Sequence, residues 1–146
     1  MKIAIGSDHA GPALKAEIVQ HFIEKGIEYI DLGVMEGEKC DYPDKAKEVC
    51  DKVTGGECDM AVLVCGTGIG MSMSANKLKG IRAACCSDYF SAKYTRAHND
   101  ANVLCIGARV VGAGLAIELV DVFMNTPFEG GRHQRRVDKI TGLEGQ

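Results

Sequence analysis

The segment Cys65-Gly66-Thr67-Gly68-Ile69-Gly70 places a thiol directly before three alternating glycines. A thiolate is both a nucleophile and a base. Glycines let bare backbone approach a ligand, and a helix start offers unpaired N–H groups. The segment therefore reads as an anion hole beside a thiol, with a helix dipole that favours the thiolate. That pairing suits nucleophilic attack. It equally suits removal of a proton from carbon while the hole holds the developing enediolate. No G-K-[ST] follows, so this is not a P-loop, and G-x-G-x-G is not the dinucleotide fingerprint. The plainer alternative is a buried strand-end thiol beside a structural turn.

Three other segments carry polar groups suited to a phosphorylated sugar. Asp8 and His9 follow the first apolar run and suit sugar hydroxyls and phosphate; capping of the first helix by Asp8 is the alternative. His98 and Asn99 lie in Arg96–Asn102, read as a polar loop at a helix end. A histidine there serves as acid or base near neutral pH, although Asn and Asp also build plain turns. Arg132 and Arg136 stand four apart, so on a helix they share a face. Two guanidinium forks on one face suit a phosphate, as does Arg109 nearby; a solvated basic face is the alternative.

Strands must position these groups, and the pattern supplies them. Apolar runs at Lys2–Gly6, Glu28–Leu32, Met60–Val64, Ile81–Cys86 and Val103–Ile106 read as five strands. Met60–Val64 is apolar throughout, as a parallel strand covered on both faces would be. Helical spacing marks Ala10–Lys25, Tyr42 to about Val53, about Met71–Lys77, Tyr89–Ala97, Gly112–Met124 and about Arg132–Leu143. Strictly alternating strands and helices predict an α/β fold: a three-layer sandwich around a Rossmann-like five-stranded parallel sheet, in one domain spanning 1–146. Ligands of such sheets bind beyond the carboxyl ends of the strands, where Cys65, Asp8 and Arg109 fall.

Composition narrows the function. The 146 residues include 46% hydrophobic and 25% charged residues, ordinary for a globular chain. A net charge of -3, no Trp and 5% aromatics leave little footing for nucleic acid. No apolar run approaches the ~20 residues of a membrane span, and the N-terminus lacks a signal-peptide pattern, so a cytoplasmic location is expected. Seven cysteines without a C-x-x-C favour neither a disulfide framework nor a metal site. Cys85, Cys86 and Cys105 sit in apolar runs and read as small buried hydrophobes.

Taken together, Gly6-Ser7-Asp8-His9, Asp41-Tyr42-Pro43, Cys65 to Gly70, Ala75-Asn76-Lys77, Gly80-Ile81-Arg82-Ala83, His98-Asn99-Asp100, Gly107 to Gly112 and Gly130-Gly131-Arg132-His133 resemble the type B ribose-5-phosphate isomerases. The wider family includes allose- and galactose-6-phosphate isomerases. The resemblance runs along nearly the whole chain. It implies interconversion of ribose 5-phosphate and ribulose 5-phosphate, with Cys65 as the base that moves hydrogen between C2 and C1. Some members carry Ser there and a Glu in the following loop; the position at about Gly70 is not acidic here. It further implies that Gly66, Thr67, Gly68, Ile69 and Gly70 surround the enediolate, and that Thr67 passes a proton between O1 and O2. His98 would open the furanose ring. Asp8, His9, Tyr42 and Asn99 would contact substrate, and Arg109, Arg132 and Arg136 the phosphate. No metal or cofactor is implied. A homodimer or tetramer with the active site at the subunit interface is. Galactose-6-phosphate isomerase subunits tend to lose the His-Asn-Asp and C-terminal arginine segments, both present here, so a pentose is favoured, with allose 6-phosphate left open as a side activity. Two other classes remain for comparison. A nucleotide-binding module has only the glycine segment behind it and no acidic residue placed for a ribose hydroxyl. A thiol redox protein has no cysteine pair at motif spacing.

Overall fold

The computed structural model describes residues 1–34 and 37–146. Five strands form one parallel sheet: β1 (Lys2–Ser7), β2 (Glu28–Asp31), β3 (Met60–Cys65), β4 (Ala83–Cys85) and β5 (Val103–Gly107). Their order across the sheet is β2-β1-β3-β5-β4. The last strand in sequence thus inserts between β3 and β4, and β3 becomes the middle strand. Six helices alternate with the strands or follow them: α1 (Pro12–Lys25), α2 (Tyr42–Thr54), α3 (Ile69–Ala75), α4 (Tyr89–Asn99), α5 (Ala113–Asn125) and α6 (Arg132–Thr141).

The pleat sorts the core into two layers. Ile3, Ile5, Val62, Val64, Leu104 and Ile106 face one side, where Leu14, Ile18 and Phe22 of α1 and Leu119, Val120 and Phe123 of α5 meet them. Ala4, Ala61, Leu63, Cys65 and Cys105 face the other, against Val49 and Cys50 of α2 and Met71 and Ala75 of α3. Both faces of β3 are covered, which explains its unbroken apolar run. Consequently Cys65 points to the α2/α3 side, the side its own loop turns toward.

Several boundaries differ from the sequence reading. Helix α1 starts at Pro12, because the fixed φ of proline fits a first helical position, and Ala10 is held outside by an Asp8 carboxylate. Helix α3 starts at Ile69 rather than Met71, so Gly70 lies in its first turn. Strand β4 is only Ala83–Cys85, since it is an edge strand paired with β5 alone. Helix α4 runs on to Asn99, which moves His98 and Asn99 from the expected loop into the last helical turn. Asp100 ends that helix at φ 47°, and its carboxylate meets Arg96 Nη1 at 2.9 Å and Arg82 Nη2 at 3.0 Å.

Candidate active site

The carboxyl end of β3 carries the first group of residues. Cys65 is its last residue and is nearly buried. The backbone then turns over it, and Gly68 N–H donates to Cys65 Sγ at 3.1 Å. That turn needs Gly68 at φ 80°, and a Cβ there would meet Cys85 Sγ and the Ile106 carbonyl carbon, each at 3.0 Å. The end of β5 locks the same loop: Ala108 N–H donates to Cys65 O at 2.8 Å and Arg109 N–H to Gly66 O at 3.0 Å. Gly107 passes so close that an added Cβ would lie 2.6 Å from the Thr67 carbonyl carbon. Exposed Thr67 accepts the Ile69 N–H on its Oγ1 at 3.2 Å.

The neighbouring strand ends complete a cluster. Asp8 N–H donates to Val64 O at 3.1 Å, which ties the end of β1 to β3. The Asp8 side chain is buried and accepts Ala10 N–H at 2.8 Å, while the residue at the cap of α1 is Gly11. Asp8 therefore makes a turn rather than a helix cap. His9 beside it is exposed. The Tyr42 ring lies over Gly70, where any Cβ would come within 2.9 Å of it. Any side chain at position 70 would therefore have to displace that ring. The Arg109 guanidinium lies beside Gly66.

A second group lies elsewhere on the chain. β4 and β5 are parallel, so α4 between them runs back from the strand carboxyl ends. His98 and Asn99 stand at its far end, His98 nine residues beyond Tyr89, or roughly 14 Å at 1.5 Å per residue. The Glu129 N–H donates to Ala97 O at 3.0 Å, which brings the start of α6 there too. Arg132 and Arg136 project from α6, both exposed. Among the described residues, no carboxylate pairs with Arg109, Arg132 or Arg136. One chain thus brings Asp8, Tyr42, Cys65–Gly70 and Arg109 together. It gathers His98, Asn99, Arg132 and Arg136 separately.

Two residues of this second group were absent from the sequence-derived set. The His98 and His133 rings stack at 4.1 Å with planes 9° apart. Glu129 Oε2 stands 3.7 Å from His98 Nε2 and 3.5 Å from His133 Nε2. The i, i+4 spacing of Glu129 and His133 was the only available sign. Among the described residues this is the one cluster with ligand atoms close enough for a metal ion. Parallel stacked imidazoles, however, cannot both aim in-plane lone pairs at one ion. Burial, then the charge of His98, then that of Arg132, holds His133 below the usual imidazole range.

All seven cysteines are unpaired. Cys86 and Cys105 are buried as expected, but Cys85 is exposed, because it ends an edge strand at the mouth of the site. Burial pushes the Cys50 and Cys86 thiols up to about 12, and raises Cys105 further above its ordinary range. Iodoacetamide at neutral pH is expected to leave Cys50, Cys86 and Cys105 unmodified in the native protein, and unfolding is expected to release them. Peptide mass spectrometry checks this; native labelling of Cys105 would contradict the packing described here.

The Ribose/Galactose Isomerase family model matches residues 3–140. The chain belongs to this family. It is 52% identical over 143 residues to "Ribose-5-phosphate isomerase B" of Escherichia coli, covering 98% of this chain and 96% of that one. The Clostridium thermocellum ribose-5-phosphate isomerase B structure superposes with a TM-score of 0.96 at 49% identity, covering 98% and 97% of the two chains. A Mycoplasma genitalium ribose-5-phosphate isomerase B structure holds bound ribulose 5-phosphate; it superposes at 0.89 with 44% identity, covering 97% and 94%. The isomerase-family fold agrees with the parallel five-stranded α/β architecture expected from the alternating pattern. No helix among the described residues is long and apolar enough to cross a membrane.

Proposed function

We propose that this chain is a single sugar-phosphate isomerase domain that interconverts ribose 5-phosphate and ribulose 5-phosphate through a cis-enediolate. The observation that carries the chemistry is the Cys65 thiol held by the Gly68 N–H at the end of the middle strand of a family member. The thiolate form of Cys65 takes a proton from C2. Gly68 N–H holds the thiol and Ile69 N–H meets Thr67 Oγ1, so the loop N–H groups of Gly66, Thr67 and Gly70 serve the oxygens that become negative. Thr67 carries the proton between O1 and O2, and the thiol returns its proton to C1. Arg109, Arg132 and Arg136 hold the phosphate, with Asp8, His9, Tyr42, Ile69 and Asn99 around the sugar. His98 opens the furanose ring, without which there is no C1 carbonyl to acidify the C2 hydrogen and become the enediolate.

The two residue groups lie at opposite ends of α4, so a second copy must complete each site. Exposed Ile69, Met73, Tyr89 and Phe90 give such a copy an apolar surface. We place the working form as a homodimer or a tetramer built from it, each site taking the Cys65 group from one subunit and the His98 group from the other. The reaction needs no metal or cofactor, and a cytoplasmic setting fits a phosphorylated metabolite.

The test is ribose 5-phosphate turnover, with allose 6-phosphate in parallel. Turnover of the pentose well above the hexose is expected; turnover of neither by folded protein overturns the assignment. Mixing Cys65→Ala with His98→Asn subunits tests the shared site. Random exchange gives half hybrids with one intact site each, hence about a quarter of wild-type activity. Mixtures no better than their parents would place both groups in one subunit's site.

A further inference from the structure

Ring opening requires a proton at the ring oxygen, and the geometry around His98 shows what controls it. The His98 ring touches three side chains: Tyr94 at 4.8 Å, His133 stacked at 4.1 Å, and Glu129, whose Oε2 faces Nε2 at 3.7 Å. Glu129 is itself anchored through its backbone to Ala97, the residue before His98. The same Oε2 faces the His133 Nε2, and that ring is buried and held toward its neutral form. At 3.7 Å the contact is an ion-pair distance, and a carboxylate there favours hydrogen on the ring nitrogen it faces and leaves the other nitrogen for chemistry.

We propose that Glu129 is a positioning residue for ring opening, fixing the tautomer and orientation of His98 through Nε2, with the stacked His133 as the wall that keeps the ring in that plane. The proposal rests on the ring-opening role given to His98 above. In the step itself His98 enters as the imidazolium with hydrogen on both nitrogens; the nitrogen that does not face Glu129 gives its proton to the ring oxygen O4, which leaves the neutral tautomer with its hydrogen on Nε2. The C1–O4 bond breaks and its electron pair stays on O4. The O1–H bond supplies the pair that forms C1=O1, and its proton passes to water. No redox change occurs. Glu129 does not touch the sugar; it acts through His98.

Ribulose 5-phosphate offers a readout that separates this role from a general structural one. Its C5 oxygen carries the phosphate, so it cannot close a furanose and is always open-chain. Ribose 5-phosphate is almost wholly cyclic. An enzyme that cannot open the ring waits for spontaneous opening. Initial rates from ribose 5-phosphate then stop rising as enzyme is added, while rates from ribulose 5-phosphate stay proportional to enzyme.

The experiment uses full-length oligomer carrying Glu129→Gln, which keeps size and the backbone bond, with His98→Asn beside it. Both are expected to show the plateau from ribose 5-phosphate and proportional rates from ribulose 5-phosphate; wild type shows proportional rates from both. A plateau for His98→Asn alone overturns the role of Glu129 and leaves that of His98. Proportional rates for both variants from both sugars overturn the ring-opening reading and the inference with it. A Glu129→Gln enzyme depressed equally from both sugars, with no plateau, also overturns the inference, because it marks a general disturbance.

Discussion

Cys65→Ala is expected to abolish isomerisation in both directions while leaving a folded oligomer. Only the Sγ atom is lost, and it accepts one N–H bond, from Gly68. The cavity is small, so the stability cost is about 1 kcal/mol and the thermal midpoint falls only a few degrees. The chemical step loses its base. General-base catalysis contributes about 10²–10⁴-fold, so kcat falls at least into that range, with KM little changed because the arginines still hold the phosphate. Exchange of the C2 hydrogen with solvent deuterium is the sharper measurement. It is expected to vanish with turnover, and exchange that persists without turnover would assign proton removal to another group.

The second large effect is expected from Gly107→Ala, a residue that need not touch substrate. Its added methyl would lie 2.6 Å from the Thr67 carbonyl carbon and 2.7 Å from the carbonyl oxygen. Backbone cannot yield as a flexible side chain does, so the loop must lift off β5. Overpacking of this kind costs about 1–3 kcal/mol. In the proposed reaction the loop also carries the N–H groups that face the enediolate, and losing one such donor costs about 10²–10³ in kcat. The expected outcome is a folded protein, with a modestly lower denaturation midpoint, that turns over poorly. Wild-type kcat in this variant would show that the loop's approach to β5 does not place the donors.

The legible parts of the fold were those written in local pattern. Met60–Val64 declared a doubly covered strand because every residue is apolar. The glycines after Cys65 declared a tight turn at its end. The neighbour relations of the strands were not legible, since nothing in Val103–Gly107 says that it slots between β3 and β4 rather than outside them. The site shows the same division. Cys65, Thr67 and Arg109 were visible because they adjoin strand ends, where ligands of such sheets bind. The helical spacing of Tyr89 to Asn99 gave no hint that its last turn lies away from them. Glu129 was invisible because its partner His98 is 31 positions away, and a glutamate before a Gly-Gly pair reads as ordinary solvated surface. The exposure of Cys85 was missed because an apolar strand run does not declare whether it is an edge.

The strand order has a consequence for how the molecule is made. A ribosome releases β1, β2, β3 and β4 before β5, yet β5 is the only partner of β4 and the second partner of β3. Until residue 107 emerges, the nascent chain carries two open edges facing a gap one strand wide. It is then most open to sticking to other chains. The same late strand brings Ala108 N–H to Cys65 O and sets Gly107 against Thr67. The Cys65 thiol therefore acquires its geometry in the same event that seals the sheet. A half-made chain has the cysteine but not yet the loop geometry around it.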